Sequence, residues 1–461
     1  MNRLMRTALR CLLLGVGLQG FVALPSLAAE LPKATQTMLT KMKFDVSILD
    51  GLDQELVMPP QWIAGAKSEG ELKILASWDP RQFREMSAPF RERYPTIKLN
   101  YSRGGLLDRG VKSLIALQQG RYLGHIIASP GAEWLDFRDE NALEDLRVLP
   151  NFQLLPPENR EQTGQWIGEK MVFRCMAYNT DKIKESDLPK TWDDLIFNPV
   201  WRNGNLAMPD RPNLWLSMLW LSNGPDWTAN FMTKLFREVK PQLRKEGSSA
   251  AVGLTVAGET PSVIGAGEYR VKEYVMKGAP VSWHCPEPIP VAISQLIMLK
   301  GSPAPNSAYM FLNWFLSKEG QLAQYAGDYS APVHKDLYKD ERFYPFPEKV
   351  IGKKLAFRDE DKLRVEYPKL LALYAPLWTG AGGGEAAGNS LFGELTAKEA
   401  DGRGLSVKLH NKTQTTKISP SRTEIYVDDN KSEWSALKIG MVCEVSFNAR
   451  ADEAAKVACE N

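Results

Sequence analysis

The sequence predicts an α/β fold followed by a small all-β C-terminal domain, on three observations. From residue 70 onward, short strand patterns alternate with helix patterns. A Gly-rich run, Ala381-Gly-Gly-Gly-Glu-Ala-Ala-Gly388, then interrupts the chain. Beyond it lie only short alternating runs, such as residues 405–409 and 423–427. A chain of 461 residues suits two to four domains at roughly 100–200 residues each. With 44% hydrophobic and 24% charged residues, it has the composition of a globular protein, not of a disordered one. After the first thirty residues no segment approaches the roughly 20 apolar residues that cross a bilayer. The 57 Lys and Arg nearly balance 55 Asp and Glu, and no basic block occurs, so the footprint of a nucleic-acid binder is absent.

The first thirty residues read separately. Arg3, Arg6 and Arg10 carry positive charge without an acid, residues 12–24 are almost wholly apolar, and Pro25-Ser-Leu-Ala-Ala29 offers small residues for cleavage. This three-part pattern predicts a secretory signal peptide over residues 1–29 and a soluble exported chain. Cys11 precedes the apolar run and is badly placed for lipidation. Losing three Arg and no acid turns the formal charge of +2 into about −1.

Residues 71–76 alternate as a strand. Asp79-Pro80 then reads as an N-cap with proline at the first helical position, followed by Phe83, Met86, Phe90 and Tyr94 at helical spacing. A second strand, 97–101, leads through Ser102-Arg-Gly-Gly105 into a helix with Leu107, Val111, Leu114 and Ile115 on one stripe. A third, 124–128, ends at Ser129-Pro-Gly131. Strands separated by helices of this length imply parallel βαβ units, and ligands in such sheets bind beyond the strands' carboxyl ends. Ser77, Trp78, Asp79, Ser102, Arg103 and Ser129 fall there. Residues 171–180 form another strand-like run, and a short strand at 205–208 breaks at Pro209-Asp-Arg-Pro-Asn213. Asp210 and Asn213 thus precede an apolar helix, where capping and ligand contact explain them equally. Residues 279–290 are extended and Pro-rich, 291–299 form a strand, and Ser307 is placed to cap a helix whose Phe311, Trp314 and Phe315 face a core.

Export changes how the cysteines read, because disulfides persist outside the cytosol. The mature chain keeps Cys175, Cys285, Cys443 and Cys459, with no C-x-x-C pair. Cys443 and Cys459 bracket fifteen residues of a two-strand unit and are expected to be bridged. A loop of that size contributes about 3 kcal/mol in the chain-entropy model. His125, His334 and His410 are too scattered to suggest a metal site.

Several fragments, in order, carry a family likeness: Trp62-Ile-Ala-Gly-Ala-Lys-Ser-Glu-Gly70, Ala177-Tyr-Asn-Thr-Asp181, Leu188-Pro-Lys-Thr-Trp-Asp-Asp-Leu195, Leu206-Ala-Met-Pro-Asp210, and Phe315-Leu-Ser-Lys-Glu-Gly-Gln321 followed by Ala331-Pro-Val333. Behind a signal peptide, this set resembles the extracellular solute-binding proteins of ABC importers, in particular the group that includes iron(III) and phosphonate receptors. The likeness covers roughly residues 60–345. It implies a two-lobed periplasmic-binding-protein type II-like fold with crossovers near 175–179 and 283–288. The lobes would then be 60–178 with 287–375, and 179–286. They would follow an N-terminal helical extension, 30–59, and precede a linker, 376–390, and a β module, 391–461.

The resemblance further implies a non-catalytic, monomeric periplasmic receptor that closes around a small-molecule or metal-ion solute and docks on an ABC-importer permease. It implies no cofactor, with Fe³⁺ entering only as a transported ligand. Iron(III) receptors of this group usually present adjacent tyrosines, whereas Tyr269 and Tyr274 stand five apart here. Asp79, Asp210, Tyr269 and Glu287 keep hard-oxygen ligation of iron open. An anion would instead meet Arg103, Ser77, Ser102 and Ser129. Trp78 would either stack on the solute or close the lobe. Cys175 and Cys285 fall on the two crossovers, where they would be a hinge staple or two buried apolar side chains. Two other functions compete: a secreted enzyme on the same fold with Cys285 as nucleophile near Glu287, and an envelope interaction protein acting through the C-terminal module.

Overall fold

The computed structural model describes residues 31–461 apart from 339, 385, 387–389, 410–411, 429, 448–452 and 461. The expected signal peptide, with Cys11, lies outside the described residues, as do parts of the Gly-rich linker and His410. The chain enters through a helix, Lys33–Met42, and then forms β1 (Glu71–Ala76), β2 (Lys98–Arg103), β3 (Ile126–Ala128), β4 (Ile167–Asn179) and β5 (Leu206–Pro209). Next come β6 (Gln242–Arg244), β7 (Ser262–Gly267), β8 (Val281–His284), β9 (Ile289–Met298) and β10 (Leu355–Phe357). The sheet runs β2-β1-β3-β9-β4-β7-β5-β6, with β10 beside β9 and β8 beside β4.

β1 lies parallel to both β2 and β3, as the helix-separated strands predict, and β5 lies parallel to both β6 and β7. These two parallel groups are joined through antiparallel strands, and β4 belongs to both. Its first part pairs with β9 from Ile167↔Leu296 to Phe173↔Val291. Its second part pairs with β7 from Arg174↔Gly267 and with β8 from Met176↔His284. The partner therefore changes between Phe173 and Arg174, two residues before the expected crossover. The return falls on Cys285–Pro288, between the end of β8 and the start of β9. The result is a bilobal α/β body with two strand connections between its halves.

Local chemistry explains the element that borders the cleft. Asp79 accepts a hydrogen bond from Arg81 N at 2.9 Å, and Gln82 Oε1 accepts one from Asp79 N at 3.1 Å, with Pro80 at the first position of the helix Pro80–Met86. Together they form a capping box that satisfies otherwise orphaned amides. Ser307 takes no such role. The helix Pro305–Phe315 begins at Pro305, and Glu69 instead accepts from the amides of Asn306 and Ser307 at 2.9 and 2.7 Å. A carboxylate brought by the fold supplies what the local serine was expected to supply.

After a 21-residue helix, Glu360–Gly380, the chain forms β11 (Ser390–Lys398), β12 (Gly404–Leu409), β13 (Lys412–Ile418), β14 (Glu424–Val427), β15 (Asn430–Ser432), β16 (Val442–Phe447) and β17 (Glu453–Glu460). Pairing runs β13-β12-β11-β16-β17, and β17 returns to pair with β13. These five strands close into a barrel, and β14 and β15 extend the sheet from β17. Its core is its own, with Leu395, Val407, Met441, Cys443, Val445 and Val457 among the buried residues. An ion pair between Lys112 and Glu460 joins the barrel to the α/β body.

Candidate functional site

A cavity of about 510 Å³ opens above the partner change in β4. One wall comes from Ser77, Trp78 and Asp79 after β1, Arg81 and Gln82 in the helix that follows, and Arg103 at the end of β2. Lys170 on β4 and Asp328, at the end of the helix Lys318–Asp328, lie at its floor. The opposite wall is Ser249 in the helix Ser248–Val256, with Tyr269, Arg270 and Glu273 in the helix Glu268–Val275. The two walls belong to opposite sides of the crossover.

The floor is a buried charge network. β4 is buried along nearly its whole length, so its Glu169 and Lys170 must find partners inside the protein. Lys170 Nζ donates to Asp328 Oδ2 at 2.7 Å and lies 3.2 Å from Glu169 Oε1. Glu169 also accepts from Trp78 Nε1 at 3.0 Å and from Ser129 Oγ at 2.5 Å, while Asp328 Oδ1 accepts from Ser330 N at 2.9 Å. Burial opposes the Lys170 charge, but Asp328 and then Glu169 outweigh it, and the ammonium's pKa is pushed up. Lys170 therefore stays charged.

Glu268 has the opposite environment. Its side chain is fully buried, and Oε2 accepts from Phe173 N at 2.8 Å, at the residue where β4 changes partner. Burial pushes this carboxyl up to about 8, against the opposing pull of Arg174, the Phe173 amide and Lys170. Arg174 stands over the Tyr269 ring at 5.7 Å and Lys170 at 5.3 Å, so cations already occupy that ring's surroundings.

Of the expected contacts, Ser77, Trp78, Asp79, Arg103 and Tyr269 line this cavity. Trp78 is only 3% exposed and stacks on Phe83 with ring centroids 5.8 Å apart, so it closes its lobe more than it offers a face to solute. Ser129 sits one step behind, holding Glu169, and Ser102 is exposed outside the lining. Asp210 and Asn213 lie elsewhere. Asp210 is buried beside Tyr374, whose phenol is pushed up by burial and then by the Asp210 charge, and the Asn213 carbonyl accepts from Ser217 Oγ at 2.9 Å. Glu287 is also outside, accepting from Lys354 N at 3.0 Å and paired with Lys353 at 3.2 Å. The sequence reading missed Glu169, Lys170, Asp328 and Glu268. All four are charged residues in helix or strand, where a single sequence reads them as solvated.

Cys175 and Cys285 are joined by a disulfide across the two crossovers, with Cα atoms 5.0 Å apart. Cys285 therefore has no free thiol, and adjacent His284 Nε2 is engaged with the Pro189 carbonyl at 2.6 Å. A nucleophilic role for Cys285 falls with this bond. Cys443 and Cys459 form the expected second disulfide. His334, isolated in sequence, lies with Glu55 and Asp336 in the one group among the described residues that could offer three ligand atoms to a metal. Lys318 Nζ, 3.4 Å from Asp336 and 3.9 Å from Glu55, already supplies a cation there.

The bilobal body and its interlobe cavity define the class of protein. The family of bacterial extracellular solute-binding proteins matches residues 76–322, more than half of the chain, and the chain belongs to that family. It is thus a substrate-binding receptor for ABC transporters rather than an enzyme, with a small solute and a permease as its partners. No curated protein matches it in sequence. Among solved structures, iron-bound HitA from Pseudomonas aeruginosa is similar with a TM-score of 0.54 at 20% identity, covering 67% of this chain and 99% of that one. The GacH receptor of Streptomyces glaucescens reaches 0.57 at 12% identity, covering 68% and 94%. The apo ferric ion-binding protein A of Pasteurella haemolytica reaches 0.54 at 14% identity, covering 68% and 98%. At these identities the likeness is one of fold alone. No helix among the described residues is long and apolar enough to cross a membrane.

Proposed function

We propose that the protein is exported to the periplasm behind a leader of residues 1–29 and works there as a monomer. It captures its solute by closing lobe 1 (60–178 with 287–375) on lobe 2 (179–286). The observation that carries this reading is the cavity itself, with one wall from β1, β2 and their following segments, and the other from the helices beginning at Ser248 and Glu268. Rotation about Phe173–Arg174 and Cys285–Pro288 would bring those walls together, the hinge closure by which two-lobed receptors bury a ligand. The C-terminal barrel has a separate core and contributes nothing to the cavity lining. Its deletion therefore leaves solute affinity unchanged in this reading.

Small-angle X-ray scattering of the mature chain with and without solute tests the proposal. A solute at about 100 times its dissociation constant adds roughly 2.7 kcal/mol of stability. The same solute should reduce the radius of gyration. A solute that raises the melting temperature without compaction would argue against lobe closure, and a concentration-dependent dimer would argue against the monomer.

A further inference from the structure

We infer that the solute is a small molecule carrying an oxyanion, a phosphoryl or carboxylate group, and that Arg81 and Arg103 hold it. This rests on the cleft being the solute site.

The acidic groups around the cavity are already matched. Asp328 is bound by Lys170 and by the Ser330 amide, Glu169 behind it accepts from Trp78 and Ser129, and Glu273 is paired with Arg270. Asp79 caps its own helix. The guanidinium groups of Arg81 and Arg103 are different. Each has a carboxylate only at 3.8 Å, Glu85 and Asp79 respectively, and their side chains remain 72% and 59% exposed. Exposed pairs at that separation contribute little. Neither guanidinium makes a hydrogen bond among the described residues, and both residues border Asp79 on the same wall. Two uncommitted guanidinium forks on one wall match the paired oxygens of a phosphoryl or carboxylate group.

Other solute chemistries find less. An amine or polyamine needs unpaired carboxylates or an open aromatic face. Here the carboxylates are engaged, Trp78 is packed into its lobe, and Tyr269 is flanked by Lys170 and Arg174. A sugar needs the same open ring. A ferric ion needs several anionic oxygen ligands, and the cavity is lined by one tyrosine, beside two cations.

The test is a thermal-shift and calorimetric titration of the mature chain with inorganic phosphate, methylphosphonate, malonate and citrate, alongside spermidine, maltotriose and Fe³⁺. At least one oxyanion should bind, and the phosphate and carboxylate arms identify which group the site takes. The Arg81→Gln/Arg103→Gln variant should then lose at least about tenfold in affinity, since each tenfold step is a 1.4 kcal/mol loss. Its unliganded melting temperature should stay that of the wild type, because both side chains are exposed. Oxyanion binding that survives this double substitution overturns the assignment of the two arginines. Binding of spermidine, maltotriose or Fe³⁺ with every oxyanion silent overturns the inference and leaves the cleft receptor standing. Silence from every oxyanion likewise overturns the inference, and the scattering measurement then tests the cleft receptor separately.

Discussion

Cys443 and Cys459 face each other as direct partners in β16 and β17, 16 residues apart in the chain, and both are buried in the barrel's own core. Cys175 and Cys285 are separated by 110 residues and tie β4 to the connection between β8 and β9. The first bond reinforces a pairing that the sheet ladder already makes. The second joins two segments where the ladder itself changes partner, and where the proposed closure would bend the chain. A cross-link inside a closed barrel adds to rigidity already present, whereas one at a hinge limits how far two strands can separate while leaving the lobes free to turn about it. Glu268, bonded to the Phe173 amide, marks the same place from the side of β7.

The comparison is sharpest where each bond is removed. In the chain-entropy model, closing a loop of about 100 residues contributes about 4.7 kcal/mol. Cys175→Ser/Cys285→Ser is therefore expected to lose on the order of 4–5 kcal/mol in chemical denaturation, and to change the scattering difference between solute-free and solute-bound protein. An unchanged difference would mean that the bond acts on stability alone. Cys443→Ser/Cys459→Ser should lose about 3 kcal/mol by the same model. That loss should appear as earlier melting of the barrel, followed by hydrogen exchange of its strand amides, with solute affinity unaltered. If the barrel substitution weakens solute binding, the two regions are coupled and their separation fails.

Much of this was legible in the sequence. The strand at residues 71–76, the Asp79-Pro80 cap and the Cys443–Cys459 bond depend on neighbours within a few residues or on one adjacent strand. Five of the ten expected contacts reach one cavity because the rule that ligands sit beyond strand ends needs only local pattern. The rest depended on distant parts of the chain. Lys170 and Asp328 are 158 residues apart, so nothing near Lys170 announces that its strand is buried or that its charge is matched. Asp210 does follow a strand end, yet the helix Glu360–Gly380, which begins 150 residues downstream, brings Tyr374 against it. Ser307 had the right chemistry for a cap, and Glu69 reached the amides first. In each case a competing partner arrived by tertiary packing, which local periodicity cannot see.

A further expected effect concerns protons at the proposed hinge. Glu268 has no counterpart in the barrel, where no buried carboxyl is pushed up in this way among the described residues. In the unfolded chain the carboxyl loses its proton near 4.5, whereas in the folded protein burial holds it up to about 8. Between those values the native state binds the extra proton, so this group makes stability fall as pH rises through that interval, with no such penalty below it. Arg174, Lys170 and the Phe173 amide face the carboxyl and moderate the effect. Glu268→Gln removes the titration while keeping an acceptor for the Phe173 amide. Urea midpoints measured from pH 5 to pH 8 should decline less in this variant than in the wild type, and identical slopes would assign the pH dependence to other groups. The same substitution in the Cys175→Ser/Cys285→Ser background asks whether carboxyl and disulfide hold the crossover together. Residues in contact or sharing a backbone shift couple by 0.5–3 kcal/mol, and independent ones add. Additive losses would mean that each holds its own strand, and coupling would make the crossover a single mechanical unit.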